Sequence, residues 1–186
     1  MSETNEKARD ADRTRQAILE AAQQIFAEKG FTQTTVRDIT DLAGVNQSLV
    51  SRYFGGKLKL FEAALEDALD ARLVTDLTRE NFGKLVVENF TLPPSDRTNP
   101  LPILVGAVAD SEASAIALRL LHDRVFGPFR DWFGGDEAEV RAARFMIVST
   151  GFFTYRDQLP LPPFLGMVEP GLRHWLETEF QTLVDD

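Results

Sequence analysis

The 186-residue chain has a formal charge of −9, with 44% hydrophobic and 26% charged residues, which excludes both a basic nucleic-acid coat and a disordered polyelectrolyte. It contains no cysteine, which rules out disulfides, thiolate metal sites and a cysteine nucleophile. Its longest nearly apolar run, Phe145 to Tyr155, is well short of the roughly 18 residues a membrane span needs. The charged N-terminus is unlike a secretory leader, so the expected location is the cytoplasm, with no membrane association. The charge is uneven: residues 1–60 carry nine Lys or Arg against eight Asp or Glu, and residues 61–186 hold all of the net negative charge. Salt screens charges beyond about 8 Å, so a near-neutral head on an acidic body can still grip DNA locally.

Residues 1–11 are polar and are expected to form a disordered N-terminal arm. Asp12 can cap a first helix running to about Lys29, with Ile18, Ala22, Ile25 and Phe26 on its apolar face and Gly30 ending it. Thr35 and Asp38 form a capping-box pattern that opens a second helix. Its expected apolar stripe is Val36, Ile39, Leu42 and Ala43, and Gly44 stops it with positive φ. Val45 plugs the turn, and Asn46 caps a third helix that runs to about Phe54 and buries Val50 and Phe54, which lie four apart. Gly55 and Gly56 end that helix.

A fourth helix is expected from Lys57 to about Thr75, with Leu60, Phe61, Ala64, Leu65, Ala68 and Leu69 as its stripe, and a fifth over about Asp76 to Leu92. The proline-rich stretch Thr91 to Pro102 reads as a loop. Further helices read as about Leu101–Ala109, Glu112–Phe133, Glu137–Gln158 and Val168–Val184, with a kink at Gly127-Pro128 and connectors at Gly134 to Asp136 and Leu159 to Phe164. No segment alternates clearly as a strand does. The fold class is therefore all-α: a three-helix head over residues 12–56, joined by helix four to a larger helical domain over residues 57–186.

Two short helices joined by a tight glycine-containing turn make a helix-turn-helix pattern. The second of them must fit a major groove about 12 Å wide. Opposite Val50 and Phe54 it carries Ser48, Ser51 and Arg52, with Gln47 at its start. Arg pairs bidentately with guanine and Gln with adenine, and Leu49 can touch a thymine methyl. Thr35 and Arg37 at one helix start and Lys57 at another suit phosphates, and Tyr53 can hydrogen-bond a phosphate while covering the core edge.

These residues resemble the DNA-binding head of the TetR family of bacterial transcriptional regulators, over about residues 13–65. The matching positions are Phe26, Gly30, Phe31, Thr35, Ile39, Ala43, Gly44, Val45, Tyr53, Phe54, Lys57 and Leu60. The resemblance implies a homodimer whose two heads read successive major grooves of a palindromic double-stranded operator. It also implies a repressor that is released when a small-molecule effector enters the larger domain. By motif position the DNA contacts fall on Thr35, Arg37, Gln47, Ser48, Leu49, Ser51, Arg52, Tyr53 and Lys57. The sequence departs from the family pattern at Ser51, where many members carry Tyr, and at Leu49.

In the larger domain the candidate pocket residues are Phe82, Phe90, Leu121, His122, Phe126, Phe129, Trp132, Phe152 and Phe153. By family analogy the last two long helices form the dimer interface through Phe145, Val148, Phe152, Leu172, Trp175, Leu176, Phe180 and Leu183. Aromatic residues at helical spacing also make ordinary core, and that reading stays open. No catalytic residue, metal ligand or cofactor is expected: the two histidines, His122 and His174, stand far apart and no nucleophile or phosphate-loop motif occurs. The alternative to a DNA-binding regulator is a helical protein-interaction module that does not bind DNA.

Overall fold

The computed structural model describes residues 3–69, 77–92, 99–164 and 168–185, and among them there is no strand. The residues cluster into two compact units, Met1–Ala68 with Pro102–Leu120, and Leu69–Leu101 with Leu121–Asp186. This division differs from the expected boundary between residues 56 and 57, because the fourth helix and residues 102–120 pack with the head.

In the first unit, α1 spans Glu3–Gln33 and is broken at Gly30, whose φ of 70° lies outside helical geometry. It starts well before the expected Asp12. Residues 3–11 are polar, but Glu, Lys, Arg and Ala are good helix formers and no Pro or Gly interrupts them. α2 spans Val36–Ala43, α3 spans Ser48–Phe54 and α4 spans Lys57–Ala68. The expected continuation of α4 to Thr75 lies outside the described residues. α1 buries Ile18, Ala22 and Phe26, and α4 buries Leu60, Phe61, Ala64 and Leu65 against them. Phe61 sits edge-on to both Phe26, at 5.2 Å between ring centroids, and Phe31, at 5.1 Å. Each such buried aromatic contributes about 1.5–3 kcal/mol. The Gln23 amide donates to the Ala64 carbonyl and the Asp67 carboxylate, at 3.1 and 2.8 Å, tying α1 to α4.

Two further helices complete this unit: α5, Leu101–Ala107, and α6, Ser111–Leu121. Asp110 caps α6 by accepting from the N–H groups of Glu112 and Ala113, and Arg119 of α6 pairs with Glu62 of α4.

α2 carries one departure from expectation. Its inward face is Val36, Ile39, Thr40 and Ala43, a spacing of three, four and seven, with Ile39 and Thr40 fully buried. Leu42 falls off that face and is 47% exposed. Thr40 occupies the interior at low cost because its hydroxyl donates to the Val36 carbonyl at 3.0 Å.

In the second unit a 3₁₀ turn, Arg79–Asn81, leads into α7, Phe82–Phe90. Asp76, the expected helix start, lies outside the described residues. The long helix expected over Glu112–Phe133 is three pieces: α6, a π-helical turn at His122–Phe126 and α8, Gly127–Phe133. Pro128 has no N–H to donate, and the wider turn, closed by the Gly127 N–H on the His122 carbonyl, accommodates its ring. α9, Ala138–Phe153, likewise ends in a π turn, Thr154–Gln158. α10, Pro170–Asp185, is capped by Glu169, which accepts from the Leu172 N–H at 3.0 Å. α7 lies so close to α10 that a Cβ on Gly83 would sit 2.0 Å from the Glu177 carbonyl oxygen, so only glycine fits there. The core of this unit is aromatic: Phe82, Phe90, Phe129, Phe133, Phe145, Phe152 and Phe180 are all buried in one cluster.

The start of α2 sets a measurable pH dependence. Lys29 Nζ donates to Asp38 Oδ1 at 2.8 Å. The Thr35 backbone N–H and hydroxyl donate to Asp38 Oδ2 at 2.8 and 2.6 Å, and the Asp38 N–H donates back to the Thr35 hydroxyl. Lys29 first, and Thr35 second, hold the Asp38 carboxyl well below the usual carboxylate range. The folded chain therefore binds fewer protons at this group than the unfolded chain. Its stabilisation is complete above the ordinary carboxylate value and is lost as pH falls through the folded-state value. Asp38→Asn should lower Tm at neutral pH, with the gap to wild type closing below about pH 4. Thr35→Ala should cost about 1 kcal/mol. Thermal melts across this pH range check both, and a gap that does not change with pH would contradict the assignment.

Candidate nucleic-acid interface

The turn between α2 and α3 is built by Gly44, at φ 68°, a left-handed conformation that L side chains adopt at a cost. The Val45 N–H donates to the Thr40 carbonyl at 3.0 Å, and the Val45 side chain is half-buried. Asn46 caps α3 as expected, its Oδ1 accepting from the Ser48 N–H at 2.9 Å. Gly55, at φ 81°, closes α3 by donating to the Ser51 carbonyl. Val50 and Phe54 are buried and fix the rotation of α3 about its own axis.

That rotation leaves Gln47, Ser48, Ser51 and Arg52 exposed, with Leu49 and Tyr53 half-buried at the margins. The expected base-reading set thus forms one continuous outward face. Arg52 is exposed, with its guanidinium over the Tyr53 ring, 5.9 Å from the centroid.

The expected phosphate set is arranged less simply. Thr35 is exposed, but its hydroxyl is used twice by Asp38, as donor and as acceptor, so its side chain serves the cap first. The Asp38 N–H is taken by the Thr35 hydroxyl, and the N–H groups of Val36 and Arg37 ahead of it remain suited to a phosphate oxygen. Arg37 is exposed and leans towards Asp41 at 3.4 Å. Lys57 is half-buried, with Nζ 4.3 Å above the Phe31 ring centroid. Burial lowers its pKa, and the carboxylates of Asp110 and Asp38 oppose that shift. Two cations escaped the sequence reading: Arg15, whose guanidinium lies 5.0 Å from the Phe54 ring centroid, and Lys29, which reaches Asp38. Neither is signalled by spacing, because each acts across a bend or between helices.

In the second unit the aromatic residues expected at a pocket come together. Phe82, Phe90, Phe129 and Phe152 are buried in the cluster, and Phe126, Trp132 and Phe153 pack against it partly buried. Phe129 stacks on Phe145 at 4.0 Å, and Phe90 lies 4.7 Å from Phe153. Leu121 is half-buried at the end of α6. His122 is exposed, with Nδ1 2.9 Å from Asp123 Oδ1 and its ring beside Phe126. Among the described residues no group of three or more His, Cys, Asp or Glu is placed to hold a metal ion.

The expected dimer set needs correction. Phe145, Phe152, Leu176, Phe180 and Leu183 are buried in the chain's own core, and Val148 and Leu172 pack partly buried against it. Of that set only Trp175 is well exposed, at 49%. The apolar side chains that α9 turns outward are Val140 and Ile147, seven residues apart and 55% and 72% exposed. Each helix turns one or two apolar residues outward as well as its core face inward, so apolar identity alone does not separate the two faces.

Family models match most of the chain. Residues 18–64 match the model for bacterial regulatory proteins of the tetR family, and residues 80–184 match the model for the tetracyclin repressor-like C-terminal domain. Over 63 residues the chain is 44% identical to the helix-turn-helix-type transcriptional repressor NicS of Pseudomonas putida, covering 34% of this chain and 30% of NicS. Over 135 residues it is 27% identical to the helix-turn-helix-type transcriptional regulator AcrR of Shigella flexneri, covering 73% of this chain and 57% of AcrR. The chain therefore spans less than two thirds of either relative's length. A TetR-family regulator from Streptomyces coelicolor A3 superposes with a TM-score of 0.55 at 26% identity, covering 94% of this chain and 96% of that one. With both family models matched in order along its length, the chain belongs to the TetR family of bacterial regulatory proteins.

Proposed function

We propose that this protein is a cytoplasmic, sequence-specific DNA-binding transcriptional regulator and not an enzyme. It acts as a homodimer that represses from a palindromic operator and is released by a small-molecule effector. The observation that carries this reading is the outward face of α3, where Gln47, Ser48, Ser51 and Arg52 stand together while Val50 and Phe54 are buried behind them. In a major groove Arg52 reads a guanine edge, Gln47 reads an adenine, and Leu49 meets a thymine methyl. The start of α2, with Arg37, and the side chains of Tyr53 and Lys57 hold phosphates and set the register. The relatives named as a transcriptional repressor and a transcriptional regulator support the same reading.

The dimer forms through the outward side of α9 and α10, around Val140, Ile147 and Trp175. The effector is apolar or aromatic and enters by repacking the cluster of Phe82, Phe90, Phe129 and Phe152 with the neighbouring Phe126, Trp132 and Phe153. An effector that repacks this cluster changes the spacing of two heads whose half-sites are about one helical turn of DNA apart, and affinity falls.

Two experiments test this. In a selection from genomic fragments, the purified chain should retain one palindromic segment and lose it progressively as salt rises. Arg52→Ala should weaken that binding about tenfold or more, from the loss of one bidentate base contact; failure to select any segment would favour an interaction module instead. In sedimentation, Ile147→Glu combined with Trp175→Glu should convert a dimer to a monomer and remove operator binding. A double variant that stays dimeric would move the interface elsewhere.

A further inference from the structure

Asp38 poses an electrostatic problem for the proposed DNA contacts. Its carboxylate stands at the start of α2, bonded to Thr35 and one residue from Arg37, both assigned to phosphates. Its role in the cap requires it to be ionised, since both oxygens accept hydrogen bonds. An ionised acid at this point repels the polyanion that the helix terminus is there to attract.

Lys29 answers that problem from another helix. It is the last residue before the break at Gly30, and the bend turns its side chain across to α2. Its ammonium is 2.8 Å from Asp38 Oδ1, with the two side chains 41% and 29% exposed. Oδ2 is turned to Thr35, so donors from α1 and from the α2 cap engage both oxygens. An isolated exposed pair contributes little to stability. Its consequence for a nearby phosphate is larger, because it decides whether the helix start presents net negative charge or none.

We propose that Lys29 is a positioning residue for operator binding: by pairing with Asp38 it keeps the capping carboxylate from repelling the DNA phosphates at the start of α2. This rests on the DNA-binding reading above. Lys29 acts through Asp38 and does not itself hold a phosphate. The same arrangement makes Asp38 useful to the fold and harmless to binding.

The test is a double-mutant cycle on the full chain, using the DNA segment that wild type selects, at one fixed salt concentration. Wild-type binding to that segment is the control for the DNA-binding reading; if it fails, both claims fall and the cycle is not needed to show it. Lys29→Gln should weaken binding about three- to tenfold, the scale of one partly screened charge near a phosphate. Lys29→Arg should bind like wild type. Asp38→Asn should bind as well as wild type or better, and Lys29→Gln with Asp38→Asn should return to within about twofold of wild type. Circular dichroism melts on each variant confirm that binding is measured on folded protein. If Lys29→Gln costs as much in the Asp38→Asn background as alone, Lys29 touches phosphate directly and the proposal is wrong. If Lys29→Gln binds like wild type, the carboxylate never mattered and the proposal is also wrong. Should Lys29→Gln fail to fold, comparing Asp38→Asn with the double variant still decides whether Lys29 acts directly.

Discussion

A helix of seven residues does not hold its shape in water by itself, and α3 has that length. It persists because Val50 and Phe54 are buried in the head and because capping contacts close both its ends. Everything proposed for the face of α3 depends on that anchoring. Two buried side chains four residues apart fix the rotation of the helix, and with it the set of residues turned outward. The aromatic trio Phe26, Phe31 and Phe61 supports the same platform from behind. Loss of packing there would let α3 roll, and a roll of one residue, about 100°, would replace Arg52 on the outward face with a neighbour.

The acids of the head are handled locally. Asp38 is bonded to Lys29 and Thr35, and Asp41 faces Arg37, so α2 brings no unpaired carboxylate towards the interface from either position. All of the net negative charge lies in residues 61–186. Such a distribution disfavours non-specific attachment to a polyanion and leaves binding to depend on the fit of α3 and the helix starts. Specific recognition by an acidic chain is then a matter of short-range contacts within a Debye length rather than of net charge.

Much of the head was legible in the sequence because its signals are short-range and have single meanings. Thr35 with Asp38, Gly44 after Ala43, and Val50 with Phe54 each specify a local geometry that the structure contains. Errors arose where hydrophobicity was used without spacing. Leu42 was assigned inward although Thr40 holds the position at the right angle. Family analogy places the dimer interface on α9 and α10, but most of the apolar residues expected there face the chain's own core. Gly127-Pro128 signals an irregularity, but not that it takes the form of a π turn. The Lys29–Asp38 pair was not legible because it crosses the bend at Gly30, and sequence spacing describes neighbours only within one helix. For the same reason the aromatic residues announced a cluster in the second unit but not which rings would stack on which.

The central claim is that α3 reads base edges in the major groove, and methylation interference on the selected DNA segment tests it most directly. Guanine N7 lies in the major groove and adenine N3 in the minor groove. The account predicts that N7 methylation within each half-site blocks binding and that N3 methylation there does not. Interference confined to N3, or none at either position, would contradict it.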